Sequence, residues 1–256
     1  MKAITRFAIT LCYLCLSACT TLVTSPELAT LPTGEAAIMA YQRVLQTYVN
    51  DRGEVNFPAL QAKPSDLERY IAFVAQQNAD LINNPNERLA HYINSYNALS
   101  MYNVIRSGIP KTHAGSALIE FFYLRKHLIG GKQLSLYDYE NDVIRKLKEP
   151  RVHFALNCSA LSCPVLPRAV FTGDGLDEEL NRETRKFFAE TRNLQIDRGY
   201  KTVYVSELLD FYKEDFLSAA TPTLIAYINQ YAPEKIPDDF NLEFIPYDWT
   251  IANSAR

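Results

Sequence analysis

His91-Tyr-Ile-Asn-Ser-Tyr-Asn-Ala-Leu-Ser100 is an apolar segment interrupted by two asparagines, and it lies in the middle of a predicted helix. That helix begins near Asn86, which can cap it, and extends to about Ser107, before Gly108 and Pro110. Asparagine disfavours helix interiors because its side chain competes for backbone hydrogen bonds. Two asparagines within one turn therefore require a specific role.

Asn94 and Asn97 share one face of this helix with His91, because residues three and four positions apart lie above one another. A buried amide without a partner costs about 1–3 kcal/mol, so we expect both side chains to point into the fold toward the segment around Cys158. There they either hydrogen-bond the backbone of a neighbouring loop, or orient a catalytic histidine and bind a substrate.

Helical patterns dominate the chain before this segment, and short strands alternate with helices after it. Gly130-Gly131 and Asp197-Arg198-Gly199 each separate two short apolar runs, which predicts two hairpins. No repeat or linker interrupts this part of the sequence. The pattern therefore predicts an α+β fold: a single helix-rich domain over residues 34–256 with a small, mainly antiparallel sheet.

The segment Arg151-Val-His-Phe-Ala-Leu-Asn-Cys-Ser-Ala-Leu-Ser-Cys-Pro164 concentrates a histidine and two cysteines. Residues 151–158 alternate and predict a strand, on which His153 and Cys158 face opposite sides. A nucleophilic Cys158 would therefore need a base from another element, or a bulge in the strand.

Three interpretations of Cys158 and Cys163 stay open. They are small core residues or a local disulfide; they serve thiol catalysis or redox chemistry, which requires a thiolate; or they bind a metal. The spacing His153-x4-Cys158-x4-Cys163 is not a familiar zinc pattern and offers no fourth ligand, so we predict neither a metal nor a cofactor.

Ser135 and Asp138 are spaced to cap a further helix, which extends through Leu147 and carries Glu140 and Arg145. These two charges are either exposed on the surface or form a buried pair that supports the cysteine segment.

The composition is that of an ordinary globular protein, with 48% hydrophobic, 21% charged and 12% aromatic residues. The net charge of −3 provides no basic field for a phosphate backbone, so we expect no nucleic-acid binding. After residue 26 no run approaches the ~18 apolar residues of a membrane span.

The N-terminus has the pattern of a secretion signal, because Lys2 and Arg6 precede a short apolar run. The run ends in Leu16-Ser-Ala-Cys19, which resembles the lipobox of bacterial lipoproteins, whose cysteine is acylated. Cleavage by the ordinary signal peptidase is the alternative.

The lipobox predicts a signal peptide over residues 1–18, a lipidated Cys19 carrying acyl chains such as palmitate, and a tether over residues 19–33. Thr20 is not aspartate, so the sorting rule of such lipoproteins predicts an anchor in the outer membrane, facing the periplasm. The expected partner of the protein is therefore the membrane, to which the lipidated Cys19 attaches it.

Several of these segments resemble, in order, the motifs of the DUF547 family, a domain of unknown function found in bacteria, plants and animals. The resemblance spans most of the chain after the signal and implies that the asparagine helix and the cysteine segment form one functional unit. Some relatives are fused to glutaredoxin-like domains, which favours thiol chemistry. The matching segments are Tyr92-Ile-Asn-Ser-Tyr-Asn-Ala98, Leu134-Ser-Leu136 with Glu140 and Arg145, Arg151-Val-His-Phe-Ala-Leu-Asn-Cys158, Ser162-Cys-Pro164 and Tyr247-Asp-Trp249.

Two positions depart from the family's pattern. The family often places histidine directly after the glutamate, where this chain has Asn141, and its terminal motif usually ends in asparagine, where this chain has Ala252. If either position serves chemistry in the relatives, this protein is altered or inactive at that step.

Three functions follow, and the sequence does not decide between an enzyme and a binding protein. The first is a thiol-dependent hydrolase or acyl transferase with Cys158 as nucleophile and a histidine as base, His91 first and His127 second. The second is a thiol redox protein that uses Cys158 and Cys163 as a reversible pair. The third is a non-catalytic binding module of the envelope. No sequence motif indicates a substrate, a protein partner or an oligomeric state. The candidate catalytic residues are Cys158, His91, Asn97 and His153, and the candidate supporting residues are Asn94, Glu140, Arg145 and Cys163.

Overall fold

The computed structural model describes residues 20–28 and 30–255. The predicted signal peptide, residues 1–18, and Cys19 lie outside the described residues. Within the described part of the chain, no helix is long and apolar enough to cross a membrane. The elements are, in chain order, β1 (Thr21–Leu22), α1 (Gly34–Tyr48), α2 (Phe57–Ala62), α3 (Ser65–Gln76), α4 (Pro85–Arg106), α5 (Ser116–Ile119), β2 (Arg125–Ile129), β3 (Lys132–Ser135), α6 (Leu136–Asp138), α7 (Leu176–Ala189), β4 (Leu194–Asp197), β5 (Thr202–Ser206), α8 (Leu208–Phe211), α9 (Lys213–Phe216), α10 (Leu224–Ile228) and β6 (Asn241–Ile245).

Helix α4 is the predicted asparagine helix, and it is buried over residues 92–105. Asn84, rather than the predicted Asn86, caps it, because the Asn84 side chain reaches the first free backbone N–H groups and Pro85 occupies the first helical position. A helix buried on all sides presents no polar face to water. Its polar side chains must therefore find partners in neighbouring elements.

Two small sheets accompany the helices in the described chain. In the first, β2 pairs with β3 in antiparallel fashion and with β1 in parallel, and Gly130-Gly131 forms the hairpin turn with positive φ angles of 54° and 81°. In the second, β5 pairs with β4 in antiparallel fashion and with β6 in parallel. The α+β class and both hairpins are thus confirmed.

The predicted small sheet is in fact two three-stranded sheets, and neither is purely antiparallel. Hairpin signals report only strand pairs that are adjacent in sequence. The third strand of each sheet, β1 or β6, comes from a distant part of the chain and runs parallel to its neighbour.

Part of the predicted tether over residues 19–33 packs on the domain. Strand β1 pairs with β2, the backbone N–H of Val23 donates to the carbonyl of Lys126 at 2.8 Å, and the Val23 side chain is buried. The Tyr102 hydroxyl donates to the carbonyl of Thr24 at 3.2 Å. This short apolar stretch packs on the domain because the hairpin leaves one edge of β2 open for it.

The buried apolar side chains form two clusters. The first core surrounds α4 and includes side chains of α1, α2, α3 and the first sheet. The second core lies among the second sheet, the C-terminal part of α7 and the short helices α8, α9 and α10. Phe122 packs against both cores, at their boundary.

The predicted strand over residues 151–158 is wrong. Pro150–Phe154 is a 3₁₀ turn, which the side chain of Glu149 caps by accepting from the backbone N–H of Arg151 at 3.1 Å. Val152 packs in the first core and Phe154 in the second. The alternating polarity therefore reflects a turn between two cores and not the two faces of a strand.

Candidate functional site

A cleft of about 380 Å³ lies at the boundary of the two cores, lined by Tyr96 and Leu156 from the first and by Cys158 and Tyr247 from the second. Its lining is predominantly aromatic, so we call it the aromatic cleft. Tyr123 and Tyr137 stack with ring centroids 4.4 Å apart, and both are partly exposed. A second group of contacting rings consists of Phe211, Tyr247 and Trp249.

Two π-helical turns contribute to this lining. Glu120–Leu124 carries Phe122 and Tyr123, and Tyr139–Ile144 carries Glu140 and Asn141. The widened turn is rare and occurs frequently at functional sites, because it redirects side chains that a regular helix would place elsewhere. The sequence predicted an ordinary helix after Ser135 and Asp138; their capping box is confirmed, but the helical geometry changes immediately afterwards.

Glu140 is a buried carboxylate in this cleft. The Tyr96 hydroxyl donates to Glu140 Oε2 at 3.0 Å. Burial, together with the nearby Glu140 carboxylate, raises the pKa values of Tyr96 and Tyr212 well above 10, so both hydroxyls keep their protons and remain donors. Glu140 is therefore not the surface charge that one interpretation of the sequence expected.

Arg145 pairs with Asp215 and not with Glu140. Its Nε and Nη2 donate to the two Asp215 carboxylate oxygens at 2.6 and 2.9 Å, and its Nη1 donates to Asn141 Oδ1. The alternative of a buried ion pair between Glu140 and Arg145 is thus wrong, because Arg145 forms its salt bridge with Asp215, although the Glu140 charge also acts on Arg145. Asp215 lies in α9, and no motif in the sequence singled it out.

His153 joins the same network from the 3₁₀ turn. Its Nε2 lies 2.8 Å from Asp215 Oδ2, and its ring stacks on Tyr212 at 3.9 Å. Partial burial alone would raise the pKa of Asp215, but the hydrogen bonds from His153 and Arg145 outweigh it and hold that pKa far below its usual value. The hydrogen bond from His153 therefore holds the Asp215 carboxylate in position.

Cys158 and Cys163 are joined by a disulfide, with their Cα atoms 6.3 Å apart. Both line the aromatic cleft. The backbone N–H of Cys158 donates to Cys163 Sγ at 3.1 Å, and the Tyr247 hydroxyl lies 3.1 Å from Cys163 Sγ and 3.6 Å from Cys158 Sγ. Burial raises the pKa of Tyr247, so its hydroxyl remains protonated. Two donors thus face the sulfur of Cys163.

Asn97 holds the backbone that leads into this disulfide. Its Nδ2 donates to the carbonyl of Ala155 at 2.9 Å, and its Oδ1 accepts from the N–H of Asn157 at 2.7 Å. The Asn157 side chain in turn donates to the carbonyl of Pro164 at 2.8 Å, which ties the two ends of the cysteine segment together. The prediction that Asn97 points into the fold toward Cys158 is confirmed.

Asn94 also points into the fold but reaches a different segment. Its amide exchanges two hydrogen bonds with the backbone of Phe171, at 2.8 and 2.9 Å. The expectation that Asn94 faces the Cys158 segment is therefore wrong, because its partner is the backbone of Phe171. One helical turn of offset along α4 places it beside the next loop of the chain.

The histidines proposed as bases lie elsewhere. His91 contacts Phe73 and lines a separate cavity, where burial lowers its pKa to about 4. His127 is buried on β2, and burial lowers its pKa to about 3. Neither lines the aromatic cleft. The prediction that one of them serves as the base of Cys158 is wrong.

His153 does line the aromatic cleft together with Cys158, so the prediction that the two face opposite sides is also wrong. The 3₁₀ turn and the loop after it bring them to one cavity. The ring, however, is engaged with Asp215 and not with a sulfur.

His113 is a residue that no sequence motif indicated. It is buried, and its Nε2 donates to the carbonyl of Cys158 at 2.9 Å, while its backbone N–H donates to the carbonyl of Trp249. Burial lowers the pKa of His113 to about 4, although the bond to the carbonyl opposes that shift. Thr112-His113-Ala114 carries no motif, so only the tertiary contact identifies this residue.

Among residues 20–28 and 30–255, no group of three or more histidine, cysteine, aspartate or glutamate side chains is arranged to hold a metal ion. The aromatic cleft itself presents a disulfide, a carboxylate, a guanidinium, an imidazole and phenols.

Comparisons with known proteins identify part of the chain. Residues 81–188 match the model of a family described as "Protein of unknown function, DUF547". No curated protein and no solved structure matches significantly. The matched region includes α4, Glu140, Arg145, His153 and both cysteines of the disulfide, whereas Asp215, Tyr247 and Trp249 lie beyond it. The resemblance inferred from the motifs is confirmed over residues 81–188, where this chain carries a DUF547 region, and the match does not extend to the motif Tyr247-Asp-Trp249.

Proposed function

We propose that this protein carries out thiol–disulfide exchange at the Cys158–Cys163 disulfide, on a thiol substrate that binds in the aromatic cleft. One observation carries the proposal: the disulfide lines an open cleft, and two hydrogen-bond donors converge on one of its sulfurs. A disulfide that only stabilises a loop needs neither the cleft nor the donors.

The two sulfurs have different roles in this exchange. Both cysteines are buried, and Cys158 is the more exposed residue of the two, at 8% against 3% for Cys163. An incoming thiolate forms a bond to Cys158 Sγ while the bond between the two cysteines breaks, and Cys163 leaves as a thiolate. Exchange is faster when the leaving thiolate is stabilised, and the Cys158 N–H and the Tyr247 hydroxyl supply that stabilisation.

A second substrate thiolate then attacks the substrate sulfur of the mixed disulfide. The substrate disulfide forms, Cys158 leaves as a thiolate, and both protein thiolates take up protons. Two electrons and two protons thus pass from a substrate dithiol to the protein, and no further oxidant is needed for this half of the cycle. The reverse sequence reduces a substrate disulfide with the same atoms.

The geometry supports exchange better than the hydrolase or acyl-transferase hypothesis. A thiol nucleophile needs a free sulfur and a base within about 3.2 Å of it. Cys158 Sγ is bonded to Cys163, His113 reaches the carbonyl of Cys158, and His153 is bound to Asp215.

Single-cysteine variants test the proposal. The full chain with Cys163→Ser or with Cys158→Ser is mixed with bis(2-hydroxyethyl) disulfide, and the mixed disulfide is followed by mass spectrometry. We expect Cys158 in the first variant to react about tenfold faster than Cys163 in the second, because access governs which sulfur is attacked. Equal rates no faster than those of the unfolded chain would instead support a non-catalytic binding module with an inert disulfide.

We also propose that the protein is an envelope lipoprotein, anchored by acyl chains on Cys19 to the outer membrane and facing the periplasm. The support is the positive start, the apolar run and the residues Leu16-Ser-Ala-Cys19. The Cys19→Ala variant should appear unprocessed or in the soluble fraction, whereas the matched control Cys15→Ala should stay with the membrane. An unmodified mature N-terminus at another residue would exclude the anchor.

A further inference from the structure

We infer that the aromatic cleft selects thiols that carry a positive charge, an ammonium or guanidinium group a few bonds from the sulfur. This inference rests on the proposed exchange reaction and adds its substrate class. It follows from the hydrogen-bond partners of Arg145 and Glu140 and from the exposed aromatic rings of the cleft.

The guanidinium in the cleft is occupied. Each of the three Arg145 nitrogens already donates to a protein oxygen, two to Asp215 and one to Asn141. Three of its five N–H donors are thus used, and the Asp215 carboxylate already offsets its positive charge. Arg145 is therefore not a ready site for an anion.

The carboxylate in the cleft is differently placed. Glu140 is buried, lines the cleft and receives the Tyr96 hydroxyl at Oε2. The Tyr212 hydroxyl also hydrogen-bonds this carboxylate. A carboxylate has about four acceptor positions, so it can accept a further hydrogen bond from a ligand. The Arg145 charge acts on Glu140, but Arg145 forms its salt bridge with Asp215. Glu140 has no salt bridge within the described chain, so it attracts a further positive group, and the low-dielectric surroundings strengthen that attraction.

The aromatic rings act in the same direction. The faces of phenylalanine, tyrosine and tryptophan carry negative electrostatic potential and attract ammonium and guanidinium groups within about 6 Å. Tyr123, Tyr137 and Phe211 line the cleft, and each is more than 40% exposed. Tyr247 also lines the cleft, next to the disulfide, and Trp249 contacts Tyr247. The same faces repel an anion.

The size of the cleft restricts the ligand. A volume of about 380 Å³ is near the lower end of small-molecule sites, and it accommodates a small aminothiol or a cysteine with one basic neighbour in a peptide. The shared chemistry of these two sources is a thiol and a cation close together.

Three small thiols test the selectivity on the oxidised full chain: cysteamine, which is cationic, 2-mercaptoethanol, which is neutral, and mercaptoacetate, which is anionic. Each rate is expressed per thiolate and divided by the rate of the same thiol with bis(2-hydroxyethyl) disulfide, which removes differences in intrinsic reactivity. We expect cysteamine to exceed mercaptoacetate by about tenfold at ~20 mM salt, and the preference to shrink at ~500 mM salt. The same comparison with the peptides Lys-Cys-Lys and Glu-Cys-Glu tells whether the cation arrives on a peptide or only on a small aminothiol.

Glu140→Gln should reduce the preference for cysteamine at least threefold. Asp142→Asn is the matched control. It removes the same charge two positions along the chain, but the Asp142 side chain is exposed and lines a different cavity. If Glu140→Gln does not fold, inhibition of the wild-type reaction by tetramethylammonium, a cation without a thiol, gives an independent test.

The outcomes separate this inference from the proposed function. Fast exchange with all three thiols but without a charge order, or with mercaptoacetate fastest, overturns the inference and leaves the exchange activity standing. Exchange no faster than with the reference disulfide for every thiol overturns the proposed function itself. No inhibition by tetramethylammonium also contradicts the inference.

Discussion

The buried polar groups of helix α4 and those of the aromatic cleft are used differently. Along α4, the amides of Asn94 and Asn97 each make two hydrogen bonds to the backbone of another segment. In the cleft, Glu140 accepts from phenol hydroxyls but forms no salt bridge within the described chain, and the disulfide is part of the lining. Polar groups that are fully paired specify the fold, whereas those that face a cavity are available for chemistry.

The comparison predicts the largest loss of stability on α4. Asn97→Ala should lower the free energy of unfolding by about 4 kcal/mol, because it leaves the carbonyl of Ala155 and the N–H of Asn157 buried without partners. Denaturant unfolding measures the loss. Asn86→Ala, at an exposed position of the same helix, should change stability by less than about 0.5 kcal/mol. Equal effects of the two variants would contradict the assignment of Asn97 as a backbone clamp.

The pH dependence of stability gives a second prediction, which concerns the histidines His91 and His113. Burial lowers the pKa values of His91 and His113 from 6.5 to about 4, so the unfolded chain binds protons more readily than the folded one between these values. Stability should therefore fall as the pH is lowered from about 6.5 to 4, by up to about 3 kcal/mol per histidine. Both His91→Gln and His113→Gln should flatten this part of the pH profile.

Only one of these variants should also affect the cleft. His113 holds the carbonyl of Cys158, whereas His91 lies at another cavity. The exchange rate should therefore fall in His113→Gln and stay unchanged in His91→Gln. A loss of exchange in both variants would show that the two regions are not independent.

Reduction of the disulfide should cost less than the loss of Asn97. The chain-entropy model gives about 2 kcal/mol for a loop of this length, five residues of sequence separation. Thermal unfolding of Cys158→Ser/Cys163→Ser against the oxidised protein measures the difference. A loss above about 4 kcal/mol would assign the disulfide a mainly structural role.

A smaller effect on stability than that of disulfide loss is expected at Tyr247. Tyr247→Phe keeps the ring contacts with Phe211 and Trp249 and removes only the hydroxyl that faces the sulfurs, so unfolding should change by less than about 1 kcal/mol. Exchange should nevertheless slow about threefold, because the leaving Cys163 thiolate loses one donor. An unchanged exchange rate would remove Tyr247 from the proposed mechanism.

The successes and failures of sequence interpretation follow the same division between local and distant contacts. The α+β class, both hairpins and the extent of α4 were predictable, because glycine turns and helical periodicity act between residues close in sequence. The strand over residues 151–158 was not, because alternating polarity has the same appearance whether a segment crosses a sheet or turns between two cores. Wrong geometry there led to the wrong expectation that His153 and Cys158 are apart.

By itself, the sequence determined that α4 carries amides needing buried partners, that two cysteines lie five positions apart, and that the motifs are those of a DUF547 region. These properties depend on residue type and spacing alone. Only the tertiary structure decided that Asp215 pairs with Arg145 and His153, that His113 reaches Cys158, and that Tyr247 faces the disulfide. Each of these contacts joins segments more than 40 residues apart, and local spacing carries no information about which distant side chains the packing of two cores brings together.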